Sequence, residues 1–388
     1  MSNRLSVHED VDLGWCSVTL PNETVDAEGL PRYFDAHESD PRAPAERRYE
    51  HPEVQHLRHY LEANNGLTDL EICEPADLES IASIFPRDGF VVVKDLLNNA
   101  ELNRFRDGCT SKLGELVGIP GTGGRKYVTE TNRLPHRYSY GTSSASRQLL
   151  HEPIWASMVD LPTTTPILET LFGPKGYWVL GAGGDLCLPG AIEYQVLHTD
   201  FVTNYEVSEV RVEQARSLGV KPRYLENGEM DARSQQMVLL KTPPVITINF
   251  FMSDLTWENG PIRHIPGSHA MPFNPPGQLE EPEWMRLATM VGASAGAGIF
   301  RDSRAWHGAT PNVSRQVRAM PNVEYAASWA DDGLFLKTMP HEIWQGLSGH
   351  GQQICEKVVQ PEGEWPAGAG VMHPLAHQRE LAKTEQAD

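Results

Sequence analysis

The tripeptide His198-Thr199-Asp200 closes the stretch "EYQVLHTDF" (residues 193–201) and sets an imidazole and a carboxylate two residues apart. In a strand, residues i and i+2 project from one face, so both side chains can meet one metal ion. Spacing alone decides nothing: the irregular N-terminus repeats it at His8-Glu9-Asp10, where no strand supports it. A third donor is needed. It comes in "IFRDSRAWHGATPNVSRQVR", where His307 follows a short strand-like run and heads a Gly/Pro-rich turn. Two histidines and one carboxylate on one face of a metal leave three positions open. That set suits a non-haem Fe(II) enzyme, which must bind a co-substrate and O2 together; it suits Zn2+ too.

A co-substrate such as 2-oxoglutarate chelates iron through its 2-oxo group and the adjacent carboxylate. Its far carboxylate needs a cation, best a guanidinium in two-point contact. Arg318, eleven residues beyond His307, lies in the next strand-like stretch and is the favoured anchor; Arg315 lies nearer, in the turn.

These residues need a frame. From about residue 177 the chain reads as short strands separated by Gly/Pro turns: "GYWVLGA", "AIEYQVL", "VITINFFM", "AGIF" and "RAMPNVEYAASW". Such spacing predicts a sandwich, barrel or jelly roll. Upstream, a helical period ends near Phe85 and "GFVVV" follows as a buried strand. A helix behind an Asn cap at 98 or 99 comes next, and residues 152–172 hold one or two more. Residues 52–63 read as a short helix. His56 and His59 share one of its faces without a third ligand nearby, as a solvated or packed pair. The Gly-, Ser-, Tyr- and Arg-rich residues 121–148 read as a long loop, and "GTGG" within it lacks phosphate-loop spacing. A charged insertion, 202–236, with a helix at 207–218, follows Asp200 directly and is either a lid or a solvated excursion. The expected layout is an N-terminal arm over 1–80, packed on the body or partly disordered, a β domain over 81–330 and a helical extension with a polar tail over 331–388.

Composition narrows the class. A net charge of −19 argues against a nucleic-acid partner, which needs a basic face, and weakly against docking on anionic membranes. Five cysteines at 16, 73, 109, 187 and 355 form no CxxC pair and fit reduced thiols. The N-terminus has no apolar leader core, and no stretch approaches a membrane helix, so the cytoplasm is the expected location.

Several stretches in order resemble the phytanoyl-CoA dioxygenase family of Fe(II)/2-oxoglutarate oxygenases, which includes ectoine hydroxylase. They are "FPRDGFVVVKDLL" (85–97), "QVLHTD" (195–200), "ENGPIRHIPGSH" (258–269) and "WHGATPNVSRQVR" (306–318). The resemblance spans roughly residues 80–330 and rests most on the PGSH segment. It implies a mainly β fold with flanking helices, the double-stranded β-helix or cupin-like jelly roll. It implies His198, Asp200 and His307 as iron ligands and Arg318 on 2-oxoglutarate, with Gln195 beside iron or co-substrate. One position departs: a hydroxyl residue often stands two after the distal histidine, where this chain has Ala309, and Thr310 or Ser314 would have to substitute. Related halogenases replace the carboxylate by Gly or Ala, so Asp200 implies hydroxylation or another oxidation instead. Phe201, Trp306, Arg137, Tyr138 and Tyr140 are candidate substrate-pocket residues, and His264 and His269 are read as shaping the PGSH turn. The expected partner is a small molecule. A binding protein without chemistry and a zinc hydrolase are the competing readings.

Overall fold

A computed structural model describes residues 15, 24–25, 31–32, 49–64, 70–118, 137–140, 149–174, 176–200, 206–277, 279–330 and 335–364, with backbone alone for 24–25, 31–32, 114–118 and 138. Eleven strands lie among them: β1 (Thr24–Val25), β2 (Pro31–Arg32), β3 (Ile72–Cys73), β4 (Phe90–Val93), β5 (Arg137–Tyr140), β6 (Tyr177–Cys187), β7 (Val245–Phe250), β8 (Ile262–His264), β9 (Gly298–Asp302), β10 (His307–Ala309) and β11 (Arg318–Ala327). The main sheet runs β3-β4-β9-β7-β11-β6-β5 and is antiparallel except for β3–β4. A second, smaller sheet pairs β10 with β8, and residue 198 joins its other edge through paired backbone bonds between His198 and His307. Two facing sheets with the long strands on one of them make the expected jelly roll; among the described residues it is not a closed barrel.

The sequence of the central strands explains which face is dry. In "VITINF" Ile246, Ile248 and Phe250 alternate with Thr247 and Asn249, and the apolar set joins the largest core cluster together with Val323, Tyr325 and Phe300. Helices cover that face, with Phe105 of α3 (Asn99–Gly118) against Phe250. Each buried side chain of this size contributes about 1.5–3 kcal/mol by leaving water. The opposite, polar set faces the second sheet.

Helix α2 (Leu78–Asp88) starts where Asp77 caps Ser80 N–H and ends on Gly89 at φ +83°. It continues past Phe85 through Pro86, which has no N–H for the Ala82 carbonyl. Lys241 Nζ donates to that carbonyl at 3.3 Å instead. The 202–236 insertion thereby gains an anchor. Its helix α6 (Glu209–Ser217) packs on α7 (Ala232–Lys241), which begins in the insertion, runs past its end and packs in turn on α2 and on the turn at Ser268–Ala270; Gln214 of α6 bonds the Phe172 carbonyl of α5 (Thr165–Phe172). Asn98 and Glu101 form a reciprocal capping box for α3. The helix α1 (Pro52–Ala63) packs with Trp15 and Val313, so part of the arm lies on the loop after β10. Helices α4 (Pro153–Ala156), α8 (His341–Gln345) and α9 (Gly349–Ile354) complete the described set. No helix among the described residues is long and apolar enough to cross a membrane.

Candidate metal centre

At one end of the space between the sheets, His198, Asp200 and His307 come together with their donor atoms within 4.8 Å of one another. Local pairing puts them there. His307 and His198 face each other across one register position, and Asp200 N–H donates to Ser303 O at 3.0 Å, which turns the chain after His198 back toward β9. Asp200 Oδ1 lies 3.7 Å from His198 Nε2 and 3.6 Å from His307 Nε2. The Nδ1 atoms lie 2.9 Å from Val196 O and 3.0 Å from Ala305 O. A carbonyl only accepts, so each Nδ1 carries the proton and each Nε2 keeps its lone pair for the site. Donors on adjacent positions of a metal with bonds of roughly 2.1 Å stand about 3 Å apart, so this set fits a divalent ion with slight contraction. It is the single group of its kind among the described residues, and the exposed His56 and His59 are not part of one.

The electrostatics favour the ligand forms. Burial pushes the His307 pKa well below its ordinary value, with the Arg301 charge adding to this, which keeps the ring neutral. Burial would raise the Asp200 carboxyl; the charge of the Arg301 guanidinium opposes it first and most strongly, and the group is held well below the usual carboxylate range.

The "PGSH" turn positions this end of the fold. Gly267, at φ +75°, donates to Asp88 O at 2.9 Å, and Ser268 Oγ accepts from Trp306 N–H at 2.9 Å. The residue before His307 is thus tied to the end of α2. His269 packs against Gly89, and His264 stacks on His307 with ring centroids 5.4 Å apart. Both act as buried parts of the turn and its strand, outside the ligand set.

An open cleft of about 600 Å³ runs from the three donors between the sheets. Arg318 lines it, buried, with Nε donating to Gly260 O at 3.1 Å and Nη1 to Met320 Sδ at 3.0 Å. Arg315, by contrast, is on the surface beside Glu50. Gln195 lines the cleft too, its Oε1 held by Ala309 N–H at 3.0 Å.

Other expectations need correction. Ala309 lines the cleft, but Thr310 and Ser314 do not replace the missing hydroxyl there. Thr310 Oγ1 donates to Pro261 O at 2.6 Å, and Ser314 Oγ donates to Asn312 Oδ1 at 2.8 Å in a closed turn. Tyr140 belongs to the core, edge-on to Trp155 and in contact with Cys109 Sγ. Trp306 packs with Leu197 and Ile265 on the far side of β10 from the cleft. Arg137 does line the cleft, with its Nη2 on the Glu193 and Thr310 carbonyls. Phe201 and the Tyr138 side chain lie outside the described residues, as does most of 121–148. The cleft lining includes no described residue of the 202–236 insertion.

Sequence reasoning missed Asp185, Asn249, Arg301, Asn322 and Glu324, all on the cleft wall. For the residues of β7 and β11 the signal was present: polar residues alternate with apolar ones in "VITINF" and "RAMPNVEYAA", which marks a strand with a wet face. "GIFRD" has no such alternation, so Arg301 carried no signal of its own.

A jelly roll carrying two histidines and a carboxylate at the mouth of a polar cleft defines a metal-centre class. Residues 228–320, about a quarter of the chain, match the family model described as phytanoyl-CoA dioxygenase (PhyH). The match takes in His307 and Arg318 but stops short of His198 and Asp200, whose placement rests on the geometry above. No curated protein matches. Solved structures with a similar chain path include AviO1 from Streptomyces viridochromogenes (18% identity, TM-score 0.42, covering 65% of this chain and 96% of that one). They also include HygX from Streptomyces hygroscopicus with nickel, 2-oxoglutarate and hygromycin B bound (16%, 0.41, 68% and 90%). A third is the epimerase SnoN in complex with Fe3+, alpha ketoglutarate and nogalamycin RO (16%, 0.43, 66% and 85%).

Proposed function

We propose that this chain is an Fe(II)- and 2-oxoglutarate-dependent oxygenase that hydroxylates, or otherwise oxidises, a small molecule. The carrying observation is the convergence of two imidazole lone pairs and the Asp200 carboxylate at the mouth of a cleft that holds the buried Arg318. When bound, iron with 2-oxoglutarate and O2 supplies the oxidation of a C–H bond and leaves succinate and CO2. The chain supplies everything else. His198 and His307 hold the metal through Nε2, with their tautomers fixed by the Val196 and Ala305 carbonyls. Asp200 adds the third donor and fills the position that would otherwise be open to a halide. Arg318 takes the far carboxylate of 2-oxoglutarate in a water-poor setting, where a charge-assisted contact is strong. Gln195 keeps residue 309 and the strand before His198 in register.

The test is an anaerobic titration with Fe(II) and then 2-oxoglutarate. The chelate gives a weak visible absorption band, and succinate should then form only with iron, O2 and a substrate present. A binding protein would give no band. Normal turnover by a His198→Ala, Asp200→Ala double variant would sink the proposal.

A further inference from the structure

One buried arginine on the cleft wall has no part in the scheme above. Arg301 lies on β9 between Phe300, in the core, and the buried Asp302. Alternation turns its side chain to the interior, as it does for Ile299. Its Nη2 stands 2.5 Å from Asp200 Oδ2, and its Nε donates to Asn249 Oδ1 at 3.2 Å. Its Nη1 is buried with no partner among the described residues. An arginine present only to stabilise the interior would be an expensive choice with one donor left over, since a buried donor without an acceptor is destabilising. The fork is instead aimed at one oxygen of one metal ligand.

We propose that Arg301 is the positioning residue of the metal centre: it holds Asp200 by Oδ2, so that Oδ1 alone meets the metal. Oδ1 is the oxygen that already faces both Nε2 atoms. The reason is a count of positions. Two imidazoles and one carboxylate oxygen use three of six sites; a 2-oxoglutarate chelate uses two and O2 uses one. If both carboxylate oxygens bound, the ligands would use four, and the chelate would leave no site for O2. Asn249, across the sheet, keeps the guanidinium from rotating away. This inference rests on the proposed function.

The test uses the full chain loaded anaerobically with Fe(II) and titrated with nitric oxide, an O2 surrogate whose Fe(II) adduct has a distinctive EPR signal. In the wild type, saturating 2-oxoglutarate should leave nitric oxide binding intact. In Arg301→Met, nitric oxide affinity should fall at least tenfold when 2-oxoglutarate is present and stay within about threefold when it is absent. Arg301→Lys, which keeps a charged donor, should restore most of the difference. Asn249→Ala should shift it the same way, more weakly, and serves if Arg301→Met does not fold. Wild-type nitric oxide binding in folded Arg301→Met with 2-oxoglutarate present would overturn the inference, as would equal losses with and without it. Absence of the chelate band in the wild type would instead overturn the proposed function, so the two failures are distinct.

Discussion

Replacing Arg318 by Met should weaken 2-oxoglutarate binding by on the order of a hundredfold while leaving Fe(II) affinity unchanged. Of the three guanidinium nitrogens, Nε is held by the Gly260 carbonyl and Nη1 by the thioether of Met320, a weak acceptor. A carboxylate therefore has Nη2, and can take Nη1 from the sulfur, for a two-point contact. Each charge-assisted hydrogen bond contributes about 1.5–3 kcal/mol. Two of them, less the cost of desolvating the carboxylate, leave roughly 3 kcal/mol, and each 1.4 kcal/mol is a factor of about ten. Met is close in volume, so the buried site is not hollowed, although Gly260 O loses its donor and the fold loses about 1 kcal/mol.

The assay is the anaerobic chelate band, titrated with 2-oxoglutarate in wild type, Arg318→Met and Arg318→Lys. Lys keeps the charge but lacks the planar fork, so it should fall between the two. An Arg318→Met titration with the wild-type midpoint would refute the reasoning. So would a parallel loss of Fe(II) affinity, because the argument separates the anchor from the metal ligands.

Three further outcomes follow from the fold. Asp160 accepts from Thr165 and His350 at 2.8 Å each and from Ser348, fastening α9 to the body. Asp160→Ala should lower the unfolding free energy by about 2–4 kcal/mol at pH 7 in denaturant titrations. Burial raises the Asp160 pKa, but its hydrogen bonds outweigh this and hold it below the ordinary value. The stabilisation is therefore complete above the unfolded value of about 4 and is lost as pH falls toward the folded one, so the gap between variant and wild type should narrow in acid. Gly89→Ala should destabilise by more than about 2 kcal/mol, because φ is +83° and a Cβ would stand 2.5 Å from His269 Nδ1; His269→Ala should recover the overlap but not the backbone strain. The Cys109 thiol, pushed up to about 12 by burial, should resist a thiol reagent at pH 8 and react at the rate of global unfolding, followed by mass spectrometry.

The frame was legible wherever local chemistry repeats along the chain. "PADLESIASIFPRDGFVVV" gives its helix and its buried strand in order, since each depends on neighbours in sequence. The continuation of α2 through Pro86 was not legible, because the group that satisfies the Ala82 carbonyl is Lys241, far along the chain. The same holds for Thr310 and Ser314. Their type suited a carboxylate site, but whether a hydroxyl faces a ligand or a carbonyl is set by the Pro261 and Asn312 contacts.

The site divides along the same line. His198 and Asp200 could be paired from spacing, and His307 and Arg318 joined them as chemically necessary complements; the donors do converge. Arg301 stood in the same quoted stretch as His307, yet nothing about "FRDSR" separates it from Arg304, three residues on. Strand parity separates them. Residue 301 faces inward with Thr247 opposite it in register, while Arg304 lies past the strand end and closes on Asp302 and the Leu239 carbonyl. Two arginines of one local composition thus do different things: one is a buried tie between β9 and α7, and the other sets which oxygen of Asp200 is offered. A sequence shows that a carboxylate is available; how many of its oxygens reach the metal depends on what the second oxygen already holds.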